Sequence, residues 1–299
     1  MKKSSFHESP AILKFFFSAL RAGVLPAIML LIFSAMPAQA NECDGQYANG
    51  IRPQIINPTM RQKDYTVCSP NGFEALSWGL SRTALWSAEW LSAERVSQGR
   101  QITRVDSFHA EDSIPPADRA ELADYRRSGY DRGHMAPNKD MGDTITQGAC
   151  FTLANMIPQN PQNNRNIWEG IEEAVRSYAL DHGGVFVITG PIFPGHGQQA
   201  EWLNGRVLIP VALYKIVYDP HTGKAAAYYT DNSGDQRWAE KGVAEIEAMT
   251  QINFFPWMSA EQKTTPGWIL PTPTPHGHGG EGEKHHSHGH SRWHRSEPW

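Results

Sequence analysis

Apolar residues in the middle of the chain follow two different periodicities. Branched and aromatic residues dominate residues 184–189, 206–218 and 225–230, which predicts strands. The second and third of these runs flank Asp219-Pro220-His221-Thr222-Gly223, a turn-rich sequence typical of a hairpin loop. Residues 85–91 are compatible with either a strand or a helix.

Two other segments have helical spacing. Residues 164–182 place apolar side chains four, four and three residues apart, and Gly183-Gly184 gives the expected stop. Residues 236–249 predict a second helix, with Trp238, Val243, Ile246 and Met249 as its apolar positions. Because strands outnumber helices, the pattern predicts an α+β fold: a mixed, largely antiparallel sheet with flanking helices.

The N-terminal forty residues resemble an export signal. Four basic residues precede an apolar run at 22–36, and Ala38-Gln39-Ala40 has the small-x-small pattern of a cleavage site. The run of 15 residues is shorter than the roughly 20 needed to span a bilayer. We therefore predict a cleaved signal peptide at 1–40, no membrane association after cleavage, and a periplasmic or secreted protein.

Composition then limits the classes of function. The 299-residue chain has 27 basic and 31 acidic residues, is 40% hydrophobic, and has no collagen or heptad period. This composition can build a sizeable core and is unlike that of a disordered polyelectrolyte. Removing the signal would leave 23 basic and 30 acidic residues, a net charge of −7. Any surface that binds nucleic acid must therefore be a local basic patch.

Three cysteines remain after the predicted cleavage. Cys43 and Cys68 lie near the new N-terminus, and export to an oxidising compartment favours a disulfide between them. Cys150 precedes an apolar stretch and is expected to be a small core residue.

The C-terminal residues 271–299 differ in composition from the predicted domain at 41–270. They begin with alternating Pro and Thr, and then contain seven histidines separated by Gly, Ser and Glu. Such a segment buries too little apolar surface to offset its ordering entropy, so we predict a disordered tail. Two interpretations stay open: a weak site for transition metals, or a solvated appendage.

Candidate chemistry is concentrated in residues 129–137 and 163–172. His134 is a residue type suited to general-base catalysis near neutral pH. Arg132 presents donors that suit phosphate oxygens, and the amide oxygen of Asn164 is a hard ligand for a hydrated Mg²⁺ ion. Together they favour phosphodiester chemistry with one lightly held cation.

Each of these residues also has a purely structural interpretation. A lone histidine is more often structural than catalytic, and Asp131 can be only an ion-pair partner of Arg132. Asn164 can be a helix N-cap, and Glu172 can pair with Arg176 one turn later.

Three blocks in order resemble the DNA/RNA non-specific endonuclease family, whose members are ββα-metal nucleases. The blocks are Asp-Arg-Gly-His-Met-Ala-Pro at 131–137, Ala-Asn-Met-Ile-Pro-Gln-Asn at 154–160 and Asn-Asn-Arg-Asn-Ile-Trp at 163–168. The resemblance covers residues 65–256 and implies a ββα finger, with the histidine on a strand and the asparagine on the following helix.

The resemblance also implies roles for single residues. His134 resembles the general base, Asn164 the sole protein ligand of Mg²⁺, and Glu172 the acid that binds a metal-bound water. Asn155 resembles an asparagine near the histidine loop or the metal waters, and Arg132 resembles an arginine that helps to hold phosphate and the geometry of the metal site. The arginine that stabilises the transition state resembles Arg104, although four others compete for that role: Arg82, Arg119, Arg126 and Arg127.

The implied activity is sequence-non-specific cleavage of DNA and RNA, with Mg²⁺ or a substituting Mn²⁺ ion, leaving 5′-phosphate and 3′-hydroxyl ends. The alternative is an exported, non-catalytic protein that binds nucleic acid or metal through a degenerate nuclease domain. A hydrolase of another ester class lacks support, because the sequence has no Gly-x-Ser-x-Gly or His-Glu-x-x-His motif. With a nucleic-acid substrate, we expect a local basic cleft built from Arg104, Arg126, Arg127, Arg132 and Lys139.

Overall fold

A computed structural model describes residues 42–195, 197–264 and 270–275. The predicted signal peptide at 1–40 and residues 276–299 of the tail predicted at 271–299 lie outside these ranges, so both remain predictions. Within the described ranges, no helix combines the length and the apolar character that a bilayer crossing requires.

Thirteen strands are formed within the described residues, and seven of them make one antiparallel sheet. In chain order the strands are β1 (Gln54–Ile55), β2 (Asp64–Ser69), β3 (Phe73–Trp78), β4 (Thr83–Ser92), β5 (Asp131–His134), β6 (Met156–Gln159), β7 (Gly184–Ile192), β8 (Trp202–Leu203), β9 (Val207–Leu208), β10 (Ala212–Asp219), β11 (Lys224–Asp231), β12 (Ala239–Lys241) and β13 (Ile252–Asn253). The order in the seven-stranded sheet is β12-β11-β10-β7-β4-β3-β2. The remaining strands form three two-stranded sheets: β1 with β13, β5 with β6, and β8 with β9. The predicted α+β fold with a largely antiparallel sheet is confirmed.

The predicted strands match the sheet with one exception. The ambiguous residues 85–91 lie within β4, and the expected hairpin is formed by β10 and β11, with Asp219 paired to Lys224. The prediction of one continuous strand over 206–218 is wrong. Residues 209–211 separate β9 from β10, and Pro210, which has no N–H to donate to a ladder, lies in this gap.

Six α-helices flank the sheets in the described chain. They are α1 (Ala93–Gly99), α2 (Leu122–Tyr125), α3 (Thr144–Cys150), α4 (Glu169–His182), α5 (Val243–Thr250) and α6 (Ala260–Thr264). The helix predicted over 164–182 is confirmed, but its first part, Asn163–Trp168, is a π-helix that leads into α4. The helix predicted over 236–249 is wrong in its first half, because residues 239–241 pair with β11. That helix begins only after Gly242, whose N–H donates to the Glu245 carboxylate at 2.9 Å.

The main sheet has a hydrophobic core on each face. On one face α4 packs against alternate residues of β7 and β10, including Val187, Leu213 and Val217. On the other face α5 packs against the intervening residues, such as Ile188 and Ile216. Leu270 is buried in the first core, and the Tyr228 hydroxyl donates to the Pro271 carbonyl at 2.7 Å.

Both expectations for the cysteines are confirmed. Cys43 and Cys68 form a disulfide that joins the N-terminal segment to β2. Cys150 is a free thiol, fully buried in the core beneath α4.

Candidate active site

Two short paired strands and the helical segment after them carry the predicted site. Strand β5 pairs antiparallel with β6, with Asp131 opposite Gln159 and His134 opposite Met156. The π-helix and α4 follow β6 within a few residues, so the two paired strands and the helix after them form the expected ββα unit, with α3 in the connection between the strands. Gly133 is required by packing, since a Cβ there would lie 2.0 Å from Gln159 Oε1.

His134 is the last residue of β5 and is 9% exposed. Its ring packs edge-on against Phe151, with the centroids 5.0 Å apart. Asn155 holds the loop after it: its Oδ1 accepts from the Ala136 N–H at 3.0 Å, and its Nδ2 donates to the Ala136 carbonyl at 2.8 Å. The Nε2 atom of His134 is buried and finds no hydrogen-bond partner among the described residues. A buried nitrogen without a partner is a place where a substrate or a water is expected to bind.

Electrostatics keep this imidazole neutral. Burial, followed by the nearby cation of Arg104 and by that of Arg132, lowers the pKa of His134 from 6.5 to about 3. A neutral ring has a lone pair that can accept a proton, but so low a pKa makes His134 a weak base unless a bound anion offsets the two arginine cations.

Asn164 is the second residue of the π-helix, and its position differs from that of the N-cap considered above. Its Nδ2 donates to Asp131 Oδ2 at 2.9 Å. Because a carboxylate only accepts hydrogen bonds, Asp131 fixes the Asn164 amide with its nitrogen towards the Asp131 carboxylate. The amide oxygen is thereby left for another ligand, and no hydrogen bond to it is found within the described part of the chain.

The expected ion pair between Asp131 and Arg132 is wrong. Successive side chains of a strand point to opposite faces, so these two diverge. Asp131 pairs instead with Arg165 of the π-helix, at 2.6 Å.

Glu172 lies on the first turn of α4 and lines the same cleft as His134 and Asn164. Burial raises the pKa of its carboxyl to about 7, against the opposing effects of Arg176 and Lys215. The expected contact with Arg176 is present at 3.9 Å, and Arg176 also binds the buried Asp140 at 2.8 Å.

Two arginines border the histidine, each over an aromatic ring. The Arg132 guanidinium lies 3.9 Å from the centroid of Phe108, and that of Arg104 lies 5.2 Å from the centroid of Phe151. Such stacking holds the planar cations in place while their N–H groups remain available to an anion. Arg104 also pairs with the exposed Asp106.

The competing arginines differ in their environments. Arg82 donates to two backbone carbonyls, and Arg119 pairs with Asp112 and Glu121, so both have structural partners. Arg126 lines the cleft. Arg127 is exposed and is not among the lining residues.

The cleft has a volume of about 770 Å³ and a mixed charge. Five basic residues line it: Arg104, Arg126, Arg132, Lys139 and Arg165. Four acidic residues do so as well: Asp106, Asp131, Glu169 and Glu172. Lys139 is paired with Glu169 at 3.1 Å, which reduces its availability to a substrate. Four of the five cations expected for a basic cleft therefore lie there, and Arg165 was not foreseen.

Sequence reasoning missed two further contributions to the site. Asp131 orients the Asn164 amide, and the rings of Phe108 and Phe151 form the wall behind His134. Asp131 lies within the motif itself, so a search for a partner able to fix the Asn164 amide could have identified it. The aromatic wall has no local sequence signal, because its members lie far apart in the chain.

The donor set fits a magnesium ion better than a softer metal. It offers one oriented amide oxygen and a nearby carboxylate, and magnesium usually takes few protein ligands and retains several waters. Within the described residues, the only group of three or more potential Cys, His, Asp and Glu ligands is Cys43, Cys68 and Glu74, whose two sulfurs already form the disulfide.

Several known nucleases are similar in sequence to this chain. A nuclease of the cyanobacterium Nostoc sp. is 29% identical over 231 residues, covering 71% of this chain and 81% of that protein. Human mitochondrial endonuclease G is 40% identical over 152 residues, and nuclease C1 of Cunninghamella echinulata is 38% identical over 160 residues. These two alignments cover 46% and 49% of this chain, and only 49% and 62% of the respective relatives.

A solved structure and a family model extend the agreement to most of the chain. The crystal structure of an EndoG/EndoGI complex contains a chain that aligns with a TM-score of 0.62 and 27% identity, over 69% of this protein and 92% of that chain. The model of the DNA/RNA non-specific endonuclease family matches residues 51–261. With that match over most of its length, and with the histidine and asparagine of the ββα unit facing one cleft, this chain belongs to the DNA/RNA non-specific endonuclease family.

Proposed function

We propose that this protein is an exported, magnesium-dependent endonuclease that hydrolyses phosphodiester bonds of DNA and RNA without sequence preference. The observation that carries the proposal is that His134 and Asn164 line one cleft. Among the described residues, His134 is neutral and its Nε2 has no partner, while Asp131 binds the Asn164 nitrogen and leaves the amide oxygen without a hydrogen bond.

The residues of the cleft have separable tasks. His134 Nε2 takes a proton from the water that attacks phosphorus. Arg132 and Arg104 donate to the phosphate oxygens on which negative charge increases, and their aromatic neighbours limit how far they can move. Asn164 and Glu172 would hold a hydrated Mg²⁺ ion, Asn164 directly and Glu172 through water. A bound Mg²⁺ would supply charge neutralisation at the phosphate and the leaving 3′ oxygen. Loss of the 3′ oxygen from phosphorus gives 5′-phosphate and 3′-hydroxyl ends.

The absence of sequence preference follows from the kind of contact that the cleft offers. Its cationic groups suit phosphate oxygens, and phosphate contacts carry no sequence information. DNA and RNA share that phosphate, so we include both as substrates. The disulfide is consistent with export to the periplasm or the medium. Metal binding by the histidine-rich tail remains a separate prediction.

A plasmid assay tests the proposal. Purified protein with Mg²⁺ is expected to nick and then linearise supercoiled DNA, and a chelator or His134→Ala is expected to abolish cleavage. His182→Ala is the matched control, because His182 is exposed at the far end of α4. Cleavage by His134→Ala at the rate of the wild type would exclude His134 as the base. DNA binding without cleavage by the wild type would favour the non-catalytic alternative.

A further inference from the structure

Behind the cleft lies a buried ammonium group that the proposed mechanism does not use. Lys215, in the middle of β10, is 1% exposed. Its Nζ donates to Thr189 Oγ1 at 2.7 Å and to the Met135 carbonyl at 3.4 Å, and lies 5.4 Å from the centroid of the Trp168 ring. Within the described chain, no carboxylate lies within 4 Å of it to form a salt bridge.

A cation in this position is unfavourable for stability alone. Burial removes its hydration, and hydrogen bonds to a hydroxyl and a carbonyl compensate only part of that loss. An apolar side chain of similar length would fill the same space without this penalty. The ammonium therefore calls for an explanation other than packing.

The partners of Lys215 belong to both halves of the site. Met135 follows the proposed base directly along the chain, while Trp168 ends the π-helix that carries Asn164. Lys215 itself belongs to the main sheet, where it pairs with Thr189 of β7. One ammonium thus connects the rigid sheet with the strand of the base and the turn of the metal ligand.

Charged groups from several elements face this ammonium. Glu172 of α4 and Glu89 of β4 both lie near enough for the positive charge of Lys215 to lower the pKa of each carboxyl, against the larger effect of burial. Asp140 pairs with Arg176, and Glu89 pairs with Arg95 at 2.9 Å. Arg176 and Arg95 therefore each have a carboxylate partner, whereas Lys215 has none among the described residues.

We propose that Lys215 is a positioning residue for phosphodiester cleavage, which holds the His134 strand and the Asn164 turn against the main sheet. The inference rests on the function proposed above. It assigns Lys215 no contact with the substrate; the residue acts through the groups that do touch the substrate or the metal.

Two substitutions of buried lysines separate this role from a structural one. Lys215→Met removes the charge at nearly constant volume. Lys263→Met is the matched control, because Lys263 is 8% exposed, binds Glu247 and Asn253, and lies outside the cleft lining. We expect Lys215→Met to lower kcat by about tenfold or more with little change in KM for DNA, and Lys263→Met to retain both values.

A second readout does not depend on activity. Mn²⁺ binding to the protein without DNA, followed by electron paramagnetic resonance, is expected to weaken by about tenfold in Lys215→Met and to stay unchanged in Lys263→Met. Equal kcat and equal Mn²⁺ affinity in the two folded variants would overturn the inference.

Further variants cover the case in which Lys215→Met does not fold. Lys215→Gln keeps a donor without the charge, and Thr189→Val removes the shortest hydrogen bond of the ammonium. Both are expected to shift kcat and Mn²⁺ affinity in the same direction, and wild-type values in both would overturn the inference. If the wild type binds Mn²⁺ but cleaves no nucleic acid, the proposed function fails, while the Mn²⁺ affinities still test Lys215.

Discussion

The side-chain nitrogen of Asn164 donates to Asp131 Oδ2 at 2.9 Å, across the space between β5 and the π-helix. The contact joins two residues that are 33 positions apart in the chain. It determines which end of the amide faces the cleft, and hence whether an oxygen or an N–H group is offered to a cation.

Asp131→Asn is expected to weaken this control. The new amide can donate as well as accept, so the Asn164 amide can turn and present its nitrogen to the cleft. We expect the Mg²⁺ concentration for half-maximal cleavage to rise by about tenfold, measured by titrating Mg²⁺ at fixed DNA. Asp181→Asn, which changes an exposed carboxylate near the end of α4, should leave that concentration unchanged. An unchanged value in Asp131→Asn would show that the orientation of the amide is set elsewhere.

His134 is expected to make folding stability depend on pH. Its pKa is about 3 in the folded protein and 6.5 ordinarily, so below pH 6.5 the unfolded chain binds a proton that the folded protein does not. The wild type should therefore lose stability relative to His134→Gln as the pH falls from 6.5 towards 3, by at most about 1.4 kcal/mol per pH unit. Urea unfolding at pH 7, 5.5 and 4 measures the difference. Parallel stability curves would contradict a buried, neutral imidazole.

Cleavage is expected to fall steeply with salt, because substrate binding by the cleft depends on a few cations in an acidic protein. Arg126→Ser should reduce the slope of log(kcat/KM) against log[NaCl] by about one, as for the loss of one phosphate contact. Arg237→Ser is the control, since Arg237 is exposed, paired with Asp235 and outside the cleft lining. A flat salt profile for the wild type would contradict a phosphate-binding cleft.

Gly133→Ala is expected to disturb the pairing of β5 with β6. The added methyl would lie 2.0 Å from Gln159 Oε1 and 2.7 Å from Gln159 Cβ, so β5 or Gln159 must move. We expect a loss of about 1–3 kcal/mol in unfolding free energy, together with lower activity. Gly148→Ala, in α3, is the matched control, because nothing lies within 4 Å of its new methyl and alanine favours a helix. Equal melting temperatures for the two variants would argue against the close packing at Gly133.

Reduction of the disulfide is expected to lower stability without removing activity. The bridge closes a loop of 25 residues and lies outside the cleft lining, so its loss should cost about 3 kcal/mol by loop entropy. Urea unfolding with and without dithiothreitol measures this cost. In the double variant Cys43→Ala/Cys68→Ala the reductant should have no further effect. A similar loss there would point to a target other than this bridge.

Elements with a regular apolar spacing or a characteristic turn sequence could be predicted from the sequence. The spacing of Ile167, Ile171 and Val175 matches the face of the 163–182 segment that packs on the sheet, because burial of one face requires that period. The β10–β11 hairpin was predictable from its turn residues. The apolar spacing that begins at Trp238 led to the wrong prediction of a helix over 236–242. The edge strand β12 in that segment has only three residues, which is too short to show an alternating pattern.

The parts of the site that could not be predicted depend on distant residues. The π-helix inserts an extra residue per turn in a way that the apolar period does not reveal. Arg165 reaches Asp131 across 34 positions, and Lys215 reaches Met135 across 80. Identifying His134 and Asn164 required the family motif, because each residue alone has a common structural role.

The small size of the two-stranded β5–β6 sheet limits how far the site can be moved between proteins. A pair of four-residue strands is at best marginally stable when isolated. Here its loop is supported by Lys215 from the main sheet, and Glu172 by an Asp140–Arg176 pair. A peptide of residues 129–182 would contain the proposed base and metal ligand but lack the ammonium behind them. Grafting the motif alone onto another scaffold should therefore yield an inert insert, and the smallest transferable nuclease includes the seven-stranded sheet.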